Sequence, residues 1–162
     1  MVRVLFPDRF TPAFADAIRS GFARHYDQDG FPLTREYPGV LDVVRRLKAE
    51  GRTLAIVTNK RFVGATAMAR HFGWESVFDG VHAGDMTLPK VRKPELLRRV
   101  LAKYAANPAD CVFVGDTASD FEAASANGVR SVGVAWGYGR PDELAQADTI
   151  CRCPSDLARA VQ

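Results

Sequence analysis

The chain has 162 residues, a net charge of +3, 47% hydrophobic residues and 25% charged residues, which suits one globular domain with a sizeable core. Acids and bases are interleaved with no basic run or aromatic–basic alternation, so nothing points to nucleic acid. No apolar stretch approaches the roughly 20 residues of a membrane span, and MVRVLFPDRF is too short and too interrupted for a secretory signal.

In chain order, the first 35 residues stand apart. TPAFADAIRSGFARHY has Phe14, Ala17, Ile18 and Phe22 at three- and four-residue spacing and reads as a helix. From Pro38 onward helix and strand patterns alternate. PGVLDVVRRLKAEG has apolar residues at helical spacing between Pro38 and Gly51, residues that suit a helix start and stop. TLAIVT is a short strand ending at Thr58, FVGATAMARHFG a helix, and FDGVHAGD a strand near Val81. KPELLRRVLAKYAA is a strong amphipathic helix. CVFVGD is a strand, and SDFEAASANG a helix with Ser119 as N-cap and Gly128 as stop. RSVGVAW is a further strand. PDELAQA and SDLARAV are short helices flanking a last strand at Thr149–Cys151. The cysteines, Cys111, Cys151 and Cys153, are odd in number, with one inside a strand. This implies reduced thiols and a cytoplasmic setting. Cys151-x-Cys153 has no second pair and no nearby His, and reads as two incidental thiols.

Strands alternating with helices predict an α/β fold, a Rossmann-like parallel sheet with helices on both faces. The strands LAIV and CVFV are apolar throughout, as strands covered on both sides should be. Sites in such sheets form at the carboxyl ends of strands, where Thr58 and Asp116 both fall. Asp116 and Asp120, four residues apart after Gly115, suit a hard cation such as Mg²⁺. Asp120 equally suits the amino end of a helix. Thr58, Asn59 and Lys60 offer a hydroxyl, an amide and backbone N–H groups that can hold phosphate oxygens, or simply an N-cap. Lys93 could neutralise a phosphoryl group, with Lys90 and Arg92 as rivals.

Taken together, these segments resemble the haloacid dehalogenase-like phosphatases, most closely the phosphoglycolate phosphatase-like group. YPGVLDVVRRLKAEGRTLAIVTNK resembles the second-motif region, with Thr58 as its hydroxyl residue. KPELLRRVL resembles the third motif, with Lys93 as its lysine. VFVGDTASDFEAASANGVRSVGVAWGYG resembles the fourth motif, with Asp116 and Asp120 as its acids, and PDELAQADTICRCPSDLARAV the usual ending. The resemblance implies Mg²⁺-dependent hydrolysis of a small phosphorylated metabolite. An aspartate at the end of the first strand, in a D-x-D-G-T motif, attacks phosphorus, and a second acid two positions on moves the proton. Mg²⁺ sits between the nucleophile and the fourth-motif acid.

That first motif is not identifiable. VLFPDRFTP puts Pro7 or Asp8 at the nucleophile position and Arg9 or Phe10 where the second acid belongs. Asp27-x-Asp29-Gly30 matches almost literally, but the polar, helix-spaced FARHY precedes it in place of an apolar strand. The preferred reading is that residues 1–35 are a cap remnant and residues 36–162 the α/β core. Phosphatase function then holds by descent and is impaired in this chain. The alternatives are a non-catalytic protein that binds phosphate or a partner, and a piece of a full phosphatase. The resemblance also implies that the middle strand of the sheet, between the strands ending at Thr58 and Asp116, is missing. An open apolar edge there favours pairing with another chain, including a second copy. Val2–Phe6 is the spare β-rich segment expected to fill the gap.

Overall fold

The computed structural model describes residues 6–29, 33–86 and 89–162. The chain divides into two compact units, Met1–Arg35 and Glu36–Gln162. In the first, a 3₁₀ turn at Pro7–Arg9 leads to helix α1, Pro12–Asp29. Thr11 Oγ1 accepts the Phe14 N–H at 3.1 Å, serving one of the donors that a helix start leaves unpaired. The Phe6 ring meets Phe14 edge-on at 5.5 Å. Pro7, Asp8 and Arg9 therefore form a 3₁₀ turn. Asp27 and Asp29 fall in the last turn of α1, so the near-literal acidic motif begins on a helix rather than after a strand. Residues 2–5, and with them the expectation for Val2–Phe6, lie outside the described residues.

The second unit alternates helices and strands as expected. Helix α2, Val40–Ala49, has Asp42 in its first turn and Arg46 and Lys48 in its last, each charge matched to its end of the helix dipole. Its Val43 and Leu47 are buried. Strand β1, Ala55–Thr58, follows. Asp79 pins its entry, accepting the Leu54 N–H at 2.8 Å and the Lys48 ammonium at 2.6 Å. Helix α3, Phe62–His71, leads to strand β2, Gly80–Ala83. Helix α4, Lys93–Lys103, buries Leu96, Leu97 and Val100. Then come β3, Val112–Gly115, α5, Ala118–Ala126, and β4, Arg130–Val134. The chain closes with α6, Pro141–Leu144, β5, Thr149–Cys151, and α7, Pro154–Ala160.

Every strand pairing among the described residues is parallel, and those strands fall in two hydrogen-bonded groups. β1 pairs with β2 over Ala55–Gly80 to Thr58–Ala83. β3, β4 and β5 form a second sheet in that order. Among the described residues no strand lies between β1 and β3. The reason is elementary: pairing needs adjacent edges, and here the two edges face a cavity of about 480 Å³ whose lining includes Val57 of β1 and Val112 of β3. Helices hold the two sheets together. On one face, Val43 and Leu47 of α2 pack with Val132 of β4, Cys151 of β5 and Leu157 of α7. On the other, Leu97 of α4 packs with Phe113 of β3 and Ala123 and Ala124 of α5, with Val57 of β1 against the same cluster. All three cysteines are free thiols.

Candidate active site

The turn from β3 into α5 carries Gly115, Asp116 and Thr117. The N-cap of α5 is Thr117, two residues before the Ser119 that the sequence suggested. Asp120 explains the shift. It stands at the third helical position, and its side chain and that of Thr117 form a reciprocal capping box. Asp120 Oδ2 accepts from the Thr117 hydroxyl at 2.7 Å, the Thr117 N–H at 3.0 Å and the Asp116 N–H at 3.3 Å. Asp120 Oδ1 takes the Lys93 ammonium at 2.6 Å. Both side chains of this pair are about nine-tenths buried. Of the three candidate cations, Lys93 alone is buried; Arg92 reaches Glu122 at 2.9 Å on the surface.

Burial alone would raise the Asp120 pKa. The Lys93 hydrogen bond and charge, followed by the Thr117 donors, outweigh it and hold the carboxyl below the usual aspartate range. A depressed folded-state pKa stabilises the fold above the unfolded value, and that contribution is lost as pH falls through the folded value. Unfolding free energy is therefore expected to fall steadily below pH ~4. A Lys93→Met, Asp120→Leu double variant should show a shallower loss between neutral and acid pH in urea titrations. Equal slopes would contradict this assignment.

Asp116 is used differently. Its Oδ2 accepts the Tyr138 N–H at 2.6 Å, which leaves Oδ1 without a protein partner among the described residues. The loop after β4 wraps closely around it: a Cβ at Gly139 would strike the Asp116 carbonyl oxygen. Two tyrosines stand beside it. Burial first, then the charges of Tyr138 and Asp116, raise the Tyr37 pKa above the ordinary value. Sequence reasoning passed over both. Tyr37 lies in YPGV, just before a helix, and Tyr138 in WGYG, just beyond the carboxyl end of β4.

Thr58 closes β1, and its hydroxyl accepts the Lys60 N–H at 3.1 Å. Asn59 is exposed. The structure thus joins Lys93, Asp120 and the Asp116 turn into one bonded group. Thr58 and Asn59 stand at the end of the other sheet. Among the described residues no cluster of three or more His, Cys, Asp or Glu side chains could by itself hold a metal ion. The donor set still fits a hard cation in part: Asp116 offers one open carboxylate oxygen, whereas both oxygens of Asp120 already accept protein donors.

A parallel α/β core with an acid-bearing loop after one strand and a hydroxyl after another is the frame of a hydrolase of the haloacid dehalogenase type. Residues 7–134 match the haloacid dehalogenase-like hydrolase family, and the chain belongs to it. It is 30% identical over 148 residues to a 5'-nucleotidase of Pseudomonas aeruginosa, covering 88% of this chain and 66% of that protein. It is 33% identical over 141 residues to a phosphoglycolate phosphatase of Aliivibrio fischeri, covering 84% of this chain and 62% of the relative. Among solved structures, a predicted phosphoglycolate phosphatase from Haemophilus somnus superposes with a TM-score of 0.85 at 27% identity. That match covers 99% of this chain and 72% of the neighbour. The chain spans about half to two-thirds of the length of the curated relatives it matches.

Proposed function

We propose that this chain carries the metal and phosphate side of a Mg²⁺-dependent phosphate monoesterase acting on a small phosphorylated metabolite, and that these 162 residues alone turn over little. The observation that carries the reading is Asp116, with Oδ1 open at the end of β3, seated beside the buried Lys93–Asp120 pair. Asp116 would hold Mg²⁺. Asp120 would stand behind it, fixing the turn and aiming Lys93. When bound, the ion would offset negative charge on a phosphoryl group. Thr58 and Asn59 would hold phosphoryl oxygens from the β1 side. Relatives named as a 5'-nucleotidase and phosphoglycolate phosphatases support the substrate class. A cytoplasmic setting belongs to the same reading, supported by three free thiols. Among the described residues no helix is long and apolar enough to cross a membrane.

Low turnover follows from the absence, among the described residues, of a strand and its acid between β1 and β3. The same observation favours a second reading, in which the surviving site binds phosphate without cleaving it. Assays of the full chain with Mg²⁺ against p-nitrophenyl phosphate and phosphoglycolate separate the two. Turnover at ordinary enzyme rates would overturn the impairment, and binding of inorganic phosphate without turnover would select the second reading.

Magnesium should bind weakly, since one carboxylate oxygen is a poor donor set for an octahedral ion. Titration should move the backbone amides of Gly115 to Thr117 in nuclear magnetic resonance spectra, and Asp116→Asn should abolish the shifts. Shifts confined elsewhere, or unchanged in Asp116→Asn, would refute the metal assignment.

A further inference from the structure

The loop after β4 folds around Asp116 and leaves a large ring in solvent beside it. Gly137 and Gly139 both press on Asp116: a Cβ on Gly137 would meet its side chain, and one on Gly139 its carbonyl oxygen. Between them the Tyr138 N–H donates to Asp116 Oδ2 at 2.6 Å. The backbone of Tyr138 is therefore fixed against the candidate site, while its side chain is 91% exposed. Trp136, two residues earlier in the same loop, packs against the α2–α7 core. The loop can thus bury an aromatic ring, and Tyr138 is not the one it buries. Tyr37, from the far end of the same unit, stands within reach of the charges of Asp116 and Tyr138. It is 43% exposed, and its carbonyl oxygen accepts the Val40 N–H at 3.2 Å, which ties it to the start of α2.

Two exposed aromatic rings beside one carboxylate restrict the ligand. A single exposed ring on a protein surface needs no explanation. Here the backbone on both sides of Tyr138 is occupied in holding Asp116, and a small polar residue would serve that backbone equally well, so the ring itself is the unexplained part. Tyrosine has two side-chain torsions and offers a broad contact face at low entropy cost. Its natural complement is another flat ring, since every planar base has a π-face to stack. A short acyclic phosphate such as phosphoglycolate has no such face and would leave the ring unused. A second phosphate is also a poor fit to this loop: its one cation, Arg140, is already paired with Asp142 at 3.1 Å and Glu143 at 3.5 Å.

We propose that Tyr138, with Tyr37 beside it, selects the ligand: its ring stacks on a flat aromatic ring carried by the alcohol part of a phosphate monoester whose phosphoryl group lies at Asp116. This rests on the phosphate-binding reading of the site, and its test reads binding rather than turnover. The probes are adenosine 5'-monophosphate and ribose 5-phosphate, which share a sugar phosphate and differ by one planar base, with inorganic phosphate as reference. Each is titrated into the full chain with Mg²⁺ by calorimetry and nuclear magnetic resonance. The nucleotide should bind about tenfold or more tighter than ribose 5-phosphate and should move the ring resonances of Tyr138 and Tyr37 upfield. In Tyr138→Ala that preference should fall towards one, and Tyr138→Phe should keep it. Neither change threatens the fold, because the bond to Asp116 is made by the backbone and the side chain is exposed. A preference near one in the parent, one unchanged in Tyr138→Ala, or one lost in Tyr138→Phe would overturn the proposal. Inorganic phosphate that binds at Gly115 to Thr117 while the preference stays at one overturns the ring contact alone. No binding of either phosphate or nucleotide overturns the site reading as well.

Discussion

Replacing Lys93 by alanine should lower the free energy of unfolding by about 3–5 kcal/mol, a large share of what a domain of this size possesses. The Lys93 ammonium and the Asp120 carboxylate lie 2.6 Å apart, and each side chain is about nine-tenths buried. Removing the cation strands the anion inside the protein, and that uncompensated charge accounts for most of the cost. The control is the Lys93→Met, Asp120→Leu double variant, which removes both charges and keeps most of the volume. It should recover much of the loss, because buried pairs are often no better than apolar replacements. Recovery should fall short by about 1 kcal/mol, since the double variant also removes the capping box with Thr117. Urea denaturation of the three proteins measures all of this. A single variant within 1 kcal/mol of the parent would show that the pair is solvated rather than buried.

The second large effect is expected at Gly115. An alanine there would drive its Cβ into the side chain of Asp120. That side chain cannot step aside cheaply, because Lys93, the Thr117 hydroxyl and two backbone N–H groups hold it. Gly115→Ala should therefore cost about 1–3 kcal/mol by overpacking and partly break the Lys93 contact. The nearest atom to the new Cβ is the Asp120 Cβ, so the loss should shrink when that atom is removed: Gly115→Ala in an Asp120→Gly background should cost clearly less than in the parent. Additive losses in that double-mutant cycle would rule out the clash as the cause.

Gly115 illustrates what the sequence disclosed and what it did not. A glycine and two acids after an apolar strand suggested a cation site, and in the structure Gly115 is where backbone and the Asp120 side chain crowd together. The structure gives close approach of Asp120 as the reason for the glycine. Ser119 suits an N-cap by residue type. Thr117 wins because a capping box needs the acid three residues after the cap. The helices and strands of residues 36–162 were legible because apolar spacing and terminal glycines and prolines agreed. The lack of a ladder between β1 and β3 among the described residues reflects no property of either strand, since each reads as an ordinary buried strand. The tyrosines beside Asp116 were invisible for a different reason. Tyr37 and Tyr138 are 101 residues apart in number, and only the fold makes them neighbours.

The joining of the two sheets by helices alone has a consequence for how the molecule loses its structure. In a continuous sheet, strand pairing spreads cooperativity from edge to edge. Among the described residues the β1–β2 half and the β3–β4–β5 half share no ladder, and the packing of α2 and α4 couples them. Among the described residues no interstrand hydrogen bond crosses this seam, so partial opening lies below global unfolding in free energy. Thermal or denaturant melting need not then be a single all-or-none event. The two tryptophans stand on opposite sides of the seam. Trp74, after α3, stacks on Phe72, and Trp136, just past β4, packs on the α2–α7 core. Their fluorescence therefore reports the two halves separately, and the gap between their midpoints measures how tightly helix packing alone can bind one half of a sheet to the other.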